Sequence, residues 1–299
     1  MERIRRAVDP AARVVTALRR PTTYSGHLRE LSSGVVTAAV WPFGFVDRGL
    51  EDLDVGAGPD DSDVATPVLL VHGYGANKSN WLFLSRYLDQ AGFGRVHALN
   101  YNPLRADIPE LAERCAQRAR QLMDHHGVDR VHLVGHSLGG VIARYAVQVL
   151  GLEGVGVTIT VASPHGGVRI ARYGSYLSEV SPMASGLALR PDSPVMTLLR
   201  SSARPTSTRW VAYYSNLDLI VPARRAMILE PELAATNILV KDHGHLSIML
   251  SRRLASSVVD QLAAAEGLAG YGAPIEPLAA AGGPPAAVPA ADEGRRAVR

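Results

Sequence analysis

The stretch Val131-His132-Leu133-Val134-Gly135-His136-Ser137-Leu138-Gly139-Gly140 constrains this chain more than any other. An apolar run leads into a tight, glycine-flanked turn and an apolar-periodic segment follows, which reads as buried strand, turn and helix. Within it, Gly135-x-Ser137-x-Gly139 has the pattern of a nucleophile elbow. The spacing has a steric cause. A serine that exposes its Oγ at the tip of a strand-to-helix turn takes a strained backbone conformation. A Cβ two residues to either side would then collide with the neighbouring strand and helix.

Around this turn the chain alternates between two periods. Strands are expected at Val68–Val71, Val96–Leu99, Val131–Val134, Val155–Val161, Trp210–Tyr214 and Ile238–Val240. Helices are expected at Asn80–Gln90, Asp107–His126 and Leu138–Leu150, and from about His245 to Ala265. Asp107 followed three residues later by Glu110 has the spacing of a capping box, and Gly127 and Gly151 sit where helices stop. This alternation predicts an α/β fold, a doubly wound and mostly parallel sheet covered on both faces. In such sheets the chemistry gathers beyond the carboxyl ends of the strands.

The rest of the 299 residues frames that domain. Residues 1–46 read as an N-terminal helical extension. Its first 30 residues carry Arg3, Arg5, Arg6, Arg13, Arg19, Arg20 and Arg29, with Val14, Val15 and Leu18 as a short apolar face. A solvated helix or arm is expected there, with peripheral membrane contact as the alternative. The apolar run from Leu31 to Val46 is broken by Gly34, Pro42 and Gly44 and falls short of the roughly 20 residues of a spanning helix. It reads as a helix packed on the main domain, with a signal or anchor as the other reading. Residues 47–65, rich in Asp, Glu, Gly and Pro, read as a linker, 66–266 as the main domain and 267–299 as a disordered tail. Residues 165–208 separate two strands by a long, apolar-rich connection, read as a partial cap.

Composition excludes several classes of function. A net charge of +3 leaves no footprint for nucleic acid. The single cysteine, Cys115, excludes an intrachain disulfide and suits a reducing compartment, so a cytoplasmic protein is expected, with a membrane-associated or secreted one as the alternative. One cysteine and scattered histidines also argue against a structural metal site. Oligomeric state is not legible.

A serine hydroxyl is a weak nucleophile at neutral pH, so Ser137 needs a base, and the base needs an acid to orient it. Asp218 lies just past the strand Trp210–Tyr214, with Asp192 and Asp242 as competing acids. His243 and His245 both follow the last strand. His245, expected to open the final helix, is the first choice of base and His243 the alternative. The backbone N–H groups of Leu138 and of Tyr74, in Val71-His72-Gly73-Tyr74-Gly75, are the expected oxyanion donors. His72 reads as a residue that fixes this loop, with a second base as the other reading.

Together, Val71-His72-Gly73-Tyr74-Gly75, Gly135-His136-Ser137-Leu138-Gly139-Gly140, Asn216-Leu217-Asp218-Leu219-Ile220-Val221 and Gly244-His245-Leu246 resemble the α/β-hydrolase superfamily. Within it the likeness is to small bacterial triacylglycerol lipases and related esterases. Ala162-Ser163-Pro164-His165-Gly166-Gly167 is similar to a turn of many lipases. The resemblance covers about residues 66–266. It implies an ester hydrolase that needs no cofactor and acts on a small-molecule or lipid ester. The N-terminal 60 residues and the 165–208 insertion depart from the smallest members of that group. Apolar residues in the insertion point to an apolar acyl group. Two other readings are an acyltransferase using the same triad, and a non-catalytic hydrolase-like domain that binds a lipid or a partner.

Overall fold

A strand buried on both faces has no solvent side, so helices must cover it above and below. This holds for β1 (Val68–Val71) and β3 (Val131–His136), every residue of which is buried. The computed structural model describes residues 25–26, 28–34, 64–103, 105–168 and 188–268. With β2 (Val96–Leu99), β4 (Val155–Val161), β5 (Arg209–Ser215) and β6 (Thr236–Val240), these strands form one sheet in the order β2-β1-β3-β4-β5-β6. All five pairings are parallel.

The helices α1 (Leu82–Gln90), α2 (Ile108–His126), α3 (Leu138–Gln148), α4 (Pro194–Ser201), α5 (Ala223–Ala226) and α6 (Arg252–Ala265) complete the layers. Side chains alternate across a strand. Leu69 and Val71 therefore join a core with residues of α2, α3 and α4, whereas Val68 and Leu70 join a second core with residues of α1 and α6. The doubly wound sheet expected from the alternation is the observed one. β3 follows β2 in sequence yet pairs with β1, so the chain winds outward in opposite directions from β1 and β3. That reversal opens a crevice at the carboxyl ends of these two strands.

Local chemistry moved some boundaries. Asp107 caps α2 by accepting the Glu110 N–H at 2.9 Å, and Gly127 ends it in the left-handed region at φ 64°. The first helix, by contrast, is preceded by a tight 3-10 turn, Lys78–Trp81, capped by the Asn77 side chain. The last helix does not run from His245. A 3-10 turn spans Ser247–Leu250, Ser251 takes an extended conformation, and its hydroxyl caps α6 by accepting the Leu254 N–H. A serine that can serve as a cap competes with helix continuation, and here it wins. His245 consequently sits on a loop.

Residues 28–34 are helical, earlier than the packed helix expected over 31–46, of which 35–46 lie outside the described residues. The arginine-rich stretch up to residue 24, the linker over 47–63, residues 169–187 of the expected cap and the tail beyond 268 also lie outside them. In the described part of the cap, Leu189, Met196 and Leu199 are buried in the core. Met196 and Leu199 seat α4 on the domain, with Leu189 packed ahead of it. Among the described residues, no helix is long and apolar enough to cross a membrane.

The α3–α4 contact contains a buried cation. Arg144 of α3 is wholly buried, pairs with Glu230 at 2.9 Å and donates to Gln148 Oε1 and the Leu199 carbonyl. A buried guanidinium is tolerated only with such partners. Glu230→Ala is therefore expected to cost about 3 kcal/mol of stability. Removing the α2 cap with Asp107→Ala should cost about 1 kcal/mol. Urea denaturation at pH 7 measures both, and the reverse order would show that Arg144 does not depend on its ion pair.

Candidate active site

At the end of β3 the chain turns through Ser137 at φ 52° and ψ −121°, and α3 begins at the next residue. A side chain in this region is strained by about 1–3 kcal/mol and persists only where the surroundings enforce it. Here they do. The Ser137 N–H donates to the Val161 carbonyl at 2.9 Å, and the start of α3 is pressed onto β1. A Cβ built on Gly139 would lie 1.9 Å from the Val71 carbonyl oxygen, and one on Gly135 would lie 2.5 Å from Gly140. The two flanking glycines are the collisions that the spacing implied.

The Ser137 hydroxyl stands 2.9 Å from His245 Nε2, and His245 Nδ1 stands 2.8 Å from Asp218 Oδ2. A carboxylate only accepts, so Nδ1 carries the hydrogen and the Nε2 lone pair faces the serine. Asp218 Oδ1 accepts the N–H groups of Ile220 at 2.9 Å and Val221 at 2.7 Å. Asp218 and His245 are both buried. The structure thus brings Ser137, His245 and Asp218 into one hydrogen-bonded chain.

The competing residues go elsewhere. His243 Nδ1–H donates to the Lys241 carbonyl at 2.7 Å. Asp242 contacts the Asn216 side chain, and Asp192 is exposed beside Arg190.

The β1 loop closes the other side of the serine. A Cβ on Gly73 would lie 2.9 Å from Ser137 Cβ. Gly75 takes φ 69°, which favours glycine, and the Ala76 N–H donates to the Gly73 carbonyl at 3.3 Å. Tyr74 sits in this turn. Leu138 is the first residue of α3, so its N–H has no acceptor within the helix. His72 behaves as a loop-fixing residue. It is stacked on Tyr101 with ring centroids 4.1 Å apart, donates from Nδ1 to the Gly73 carbonyl at 2.9 Å, and accepts the Tyr101 N–H at Nε2.

Three contributors escaped the sequence reading. His136 donates from Nε2 to the His245 carbonyl at 3.1 Å, and Asn80 donates to its Nδ1 at 3.3 Å. Glu30 accepts the N–H groups of Leu246 and Ser247, each at 2.8 Å. The adjacency of His136 to Ser137 was a usable signal; nothing local marks Glu30. Among the described residues, no group of three or more His, Cys, Asp or Glu side chains is arranged to hold a metal ion.

Residues 68–258 match the model of the alpha/beta hydrolase family, and the chain belongs to that family. It is 31% identical over 169 residues, 49% of its length, to the dihydrolipoyllysine-residue acetyltransferase component of the acetoin cleaving system of Pseudomonas putida. It is 34% identical over 92 residues, 27% of its length, to Lipase 1 of Psychrobacter immobilis. The matches cover 43% and 27% of those relatives, so the chain spans less than half the length of either. Among solved structures, it is similar to the mature lipase BlEst2 of Bacillus licheniformis, with a TM-score of 0.57 and 19% identity over 69% of this chain and 94% of that one. Lipase B of Aspergillus fumigatus is similar at a TM-score of 0.54 and 18% identity, over 66% and 52%. At such identities the likeness is one of fold.

Burial holds two histidines around Ser137 neutral. Desolvation lowers His72 to about 4, against its bond to the Gly73 carbonyl. Desolvation, reinforced by His245 nearby, lowers His136 to about 3. In the unfolded chain both titrate near 6.5, so below that pH the unfolded state binds more protons and stability falls as pH falls. Between pH 7 and pH 5 each histidine should remove about 2 kcal/mol. His136→Asn should reduce the loss by that amount in urea denaturation at the two pH values. Identical losses in variant and wild type would mean that His136 titrates alike in both states.

Proposed function

We infer that this protein is a serine carboxylic-ester hydrolase, related in action to lipases and esterases, working through an acyl-enzyme. One observation carries the reading: Ser137 Oγ, His245 Nε2, His245 Nδ1 and Asp218 Oδ2 form a continuous hydrogen-bonded chain with links of 2.9 and 2.8 Å. The chain opens on the crevice side of the sheet, within residues 66–266, which we take as the catalytic unit.

In this mechanism Ser137 Oγ attacks the ester carbonyl while its proton passes to His245 Nε2. Asp218 keeps the imidazole in the tautomer that can accept and steadies the cation that forms. The carbonyl oxygen becomes an oxyanion facing the Leu138 and Tyr74 N–H groups, which gain strength as charge develops. His245 gives its proton to the leaving alcohol, and the acyl group remains on Ser137. Water then repeats the sequence in reverse, with His245 as base, and releases the acid. Every proton transfer runs through Ser137, His245 and water, so the reaction draws on no cofactor.

An apolar acyl group fits the rim. The support is that Leu219 and Ile220, directly after Asp218, are 63% and 49% exposed and so offer apolar surface beside it. A second reading delivers the acyl group to an alcohol in place of water. It gains weight from the Pseudomonas putida relative, which is named an acetyltransferase component.

The test is the hydrolysis of nitrophenyl esters from acetate to palmitate, with Ser137→Ala and Asp218→Asn alongside. Wild type should peak at a medium or long acyl chain. Ser137→Ala should lose about 10⁴-fold or more in kcat, and Asp218→Asn about 10³–10⁴-fold. Turnover that survives in Ser137→Ala would rule out the acyl-enzyme. Added alcohol that diverts most of the acyl group from water would favour the transferase reading.

A further inference from the structure

His245 is carried by a loop, and loops hold position only as well as their tethers. From the sheet side the loop is well tied. The Ser215 hydroxyl donates to the His243 carbonyl, the Asp242 N–H donates to Asn216 Oδ1 at 2.8 Å, and the His245 carbonyl accepts from His136. The next two N–H groups, Leu246 and Ser247, point away from these partners. Both go to Glu30, one to each carboxylate oxygen, at 2.8 Å. Glu30 is 216 positions from Leu246 and lies outside the family-matched residues 68–258.

The surroundings are shaped to this contact. A Cβ built on Gly244 would lie 2.4 Å from the Glu30 carboxylate, so no side chain fits there while Glu30 is seated. Four residues earlier, Gly26 is buried, and a Cβ on it would lie 2.3 Å from Leu217 Cδ1, one residue before Asp218. The short helical stretch therefore touches both loops, the one ahead of the acid and the one bearing the base.

We propose that Glu30 is a positioning residue for His245: its carboxylate clamps the backbone beyond the imidazole and keeps Nε2 aligned with Ser137 Oγ. The proposal rests on the reading of His245 as the base. Glu30 touches neither Ser137 nor the site of attack, so its effect is on alignment and not on substrate binding. Small losses of alignment weigh heavily in kcat, since a displacement of about 1 Å can cost about 10²-fold. A carboxylate offers two acceptors to two adjacent N–H groups. A glutamine keeps the shape but offers one acceptor and turns an NH₂ toward the other N–H.

The experiment measures kcat and KM on the best nitrophenyl ester for wild type, Glu30→Gln, Glu30→Ala, Gly244→Ala and the double variant Glu30→Ala/Gly244→Ala, with thermal melts alongside. Glu30→Gln and Glu30→Ala should lose about 10- to 100-fold in kcat with KM unchanged. Gly244→Ala should lose a similar factor by unseating the carboxylate. In the double variant the new methyl meets no carboxylate, so the loss should not exceed that of Glu30→Ala alone. Glu266→Gln is the control for stability: Glu266 binds His132 and Thr66 at the far end of the sheet, so it should lower the melting temperature and leave kcat intact. Wild-type kcat in both Glu30 variants would overturn the proposal while leaving the hydrolase reading intact, as would a loss confined to KM. Multiplying losses in the double variant would also overturn it. No turnover by wild type on any ester would defeat the hydrolase reading itself, and the proposal with it.

Discussion

The contact on which the site depends is the approach of α3 to β1, so close that Gly139 leaves no room for a methyl group beneath the Val71 carbonyl. With the helix at that distance, the turn between β3 and α3 has no slack. Ser137 is driven to φ 52° and its side chain to the outside of the bend. The same geometry sets the Leu138 N–H at the head of the helix, where no intrahelical acceptor exists. It also brings the β1 loop against Ser137 Cβ through Gly73. Strain at one residue is held by two strands buried on both faces.

The electrostatics follow from what is kept neutral. In the proposed mechanism proton transfer makes a cation of His245, and a second cation nearby would oppose it. His72 and His136 flank Ser137, yet burial holds both neutral, down to about 4 and about 3. Each also has its ring fixed by a backbone carbonyl that accepts its N–H. These rings support the loops without competing for charge. The negative charge lies on Asp218, whose second oxygen is engaged by two backbone N–H groups and cannot swing away from the imidazole.

Much of this was legible from residue order. Six strands, their parallel arrangement and the elbow follow from apolar runs, alternation and the spacing of Gly135 and Gly139. Ser137, Asp218 and His245 meet because successive strands of a parallel sheet end on the same side. Legibility failed where short polar side chains overrode periodicity. Asn77 and Ser251 each cap a turn or helix, so the first and last helices begin later than the apolar pattern implies. It failed again where one property has two causes. Leu189, Met196 and Leu199 are as apolar as residues lining a ligand site would be, but these three are packed in the core.

Glu30 was out of reach for a different reason, and the topology explains why such a residue is present. Ser137 follows β3, which is flanked by β1 and β4, and Asp218 follows β5, flanked by β4 and β6. Both are anchored to strands with a neighbour on each side. His245 follows β6, which among the described residues is an edge strand paired with β5 alone, and which has one buried residue among five. Among the described residues its loop therefore has sheet neighbours on one side, supplied by Ser215, Asn216 and His136, and lacks them on the other. A carboxylate that takes two consecutive N–H groups supplies the missing side. Such a partner need come only from a segment long enough to reach the edge, so no periodicity or spacing within the domain announces it. His245 is the member of the three whose position the sheet determines least, and it is the one whose loop bonds to a residue from outside the family-matched stretch.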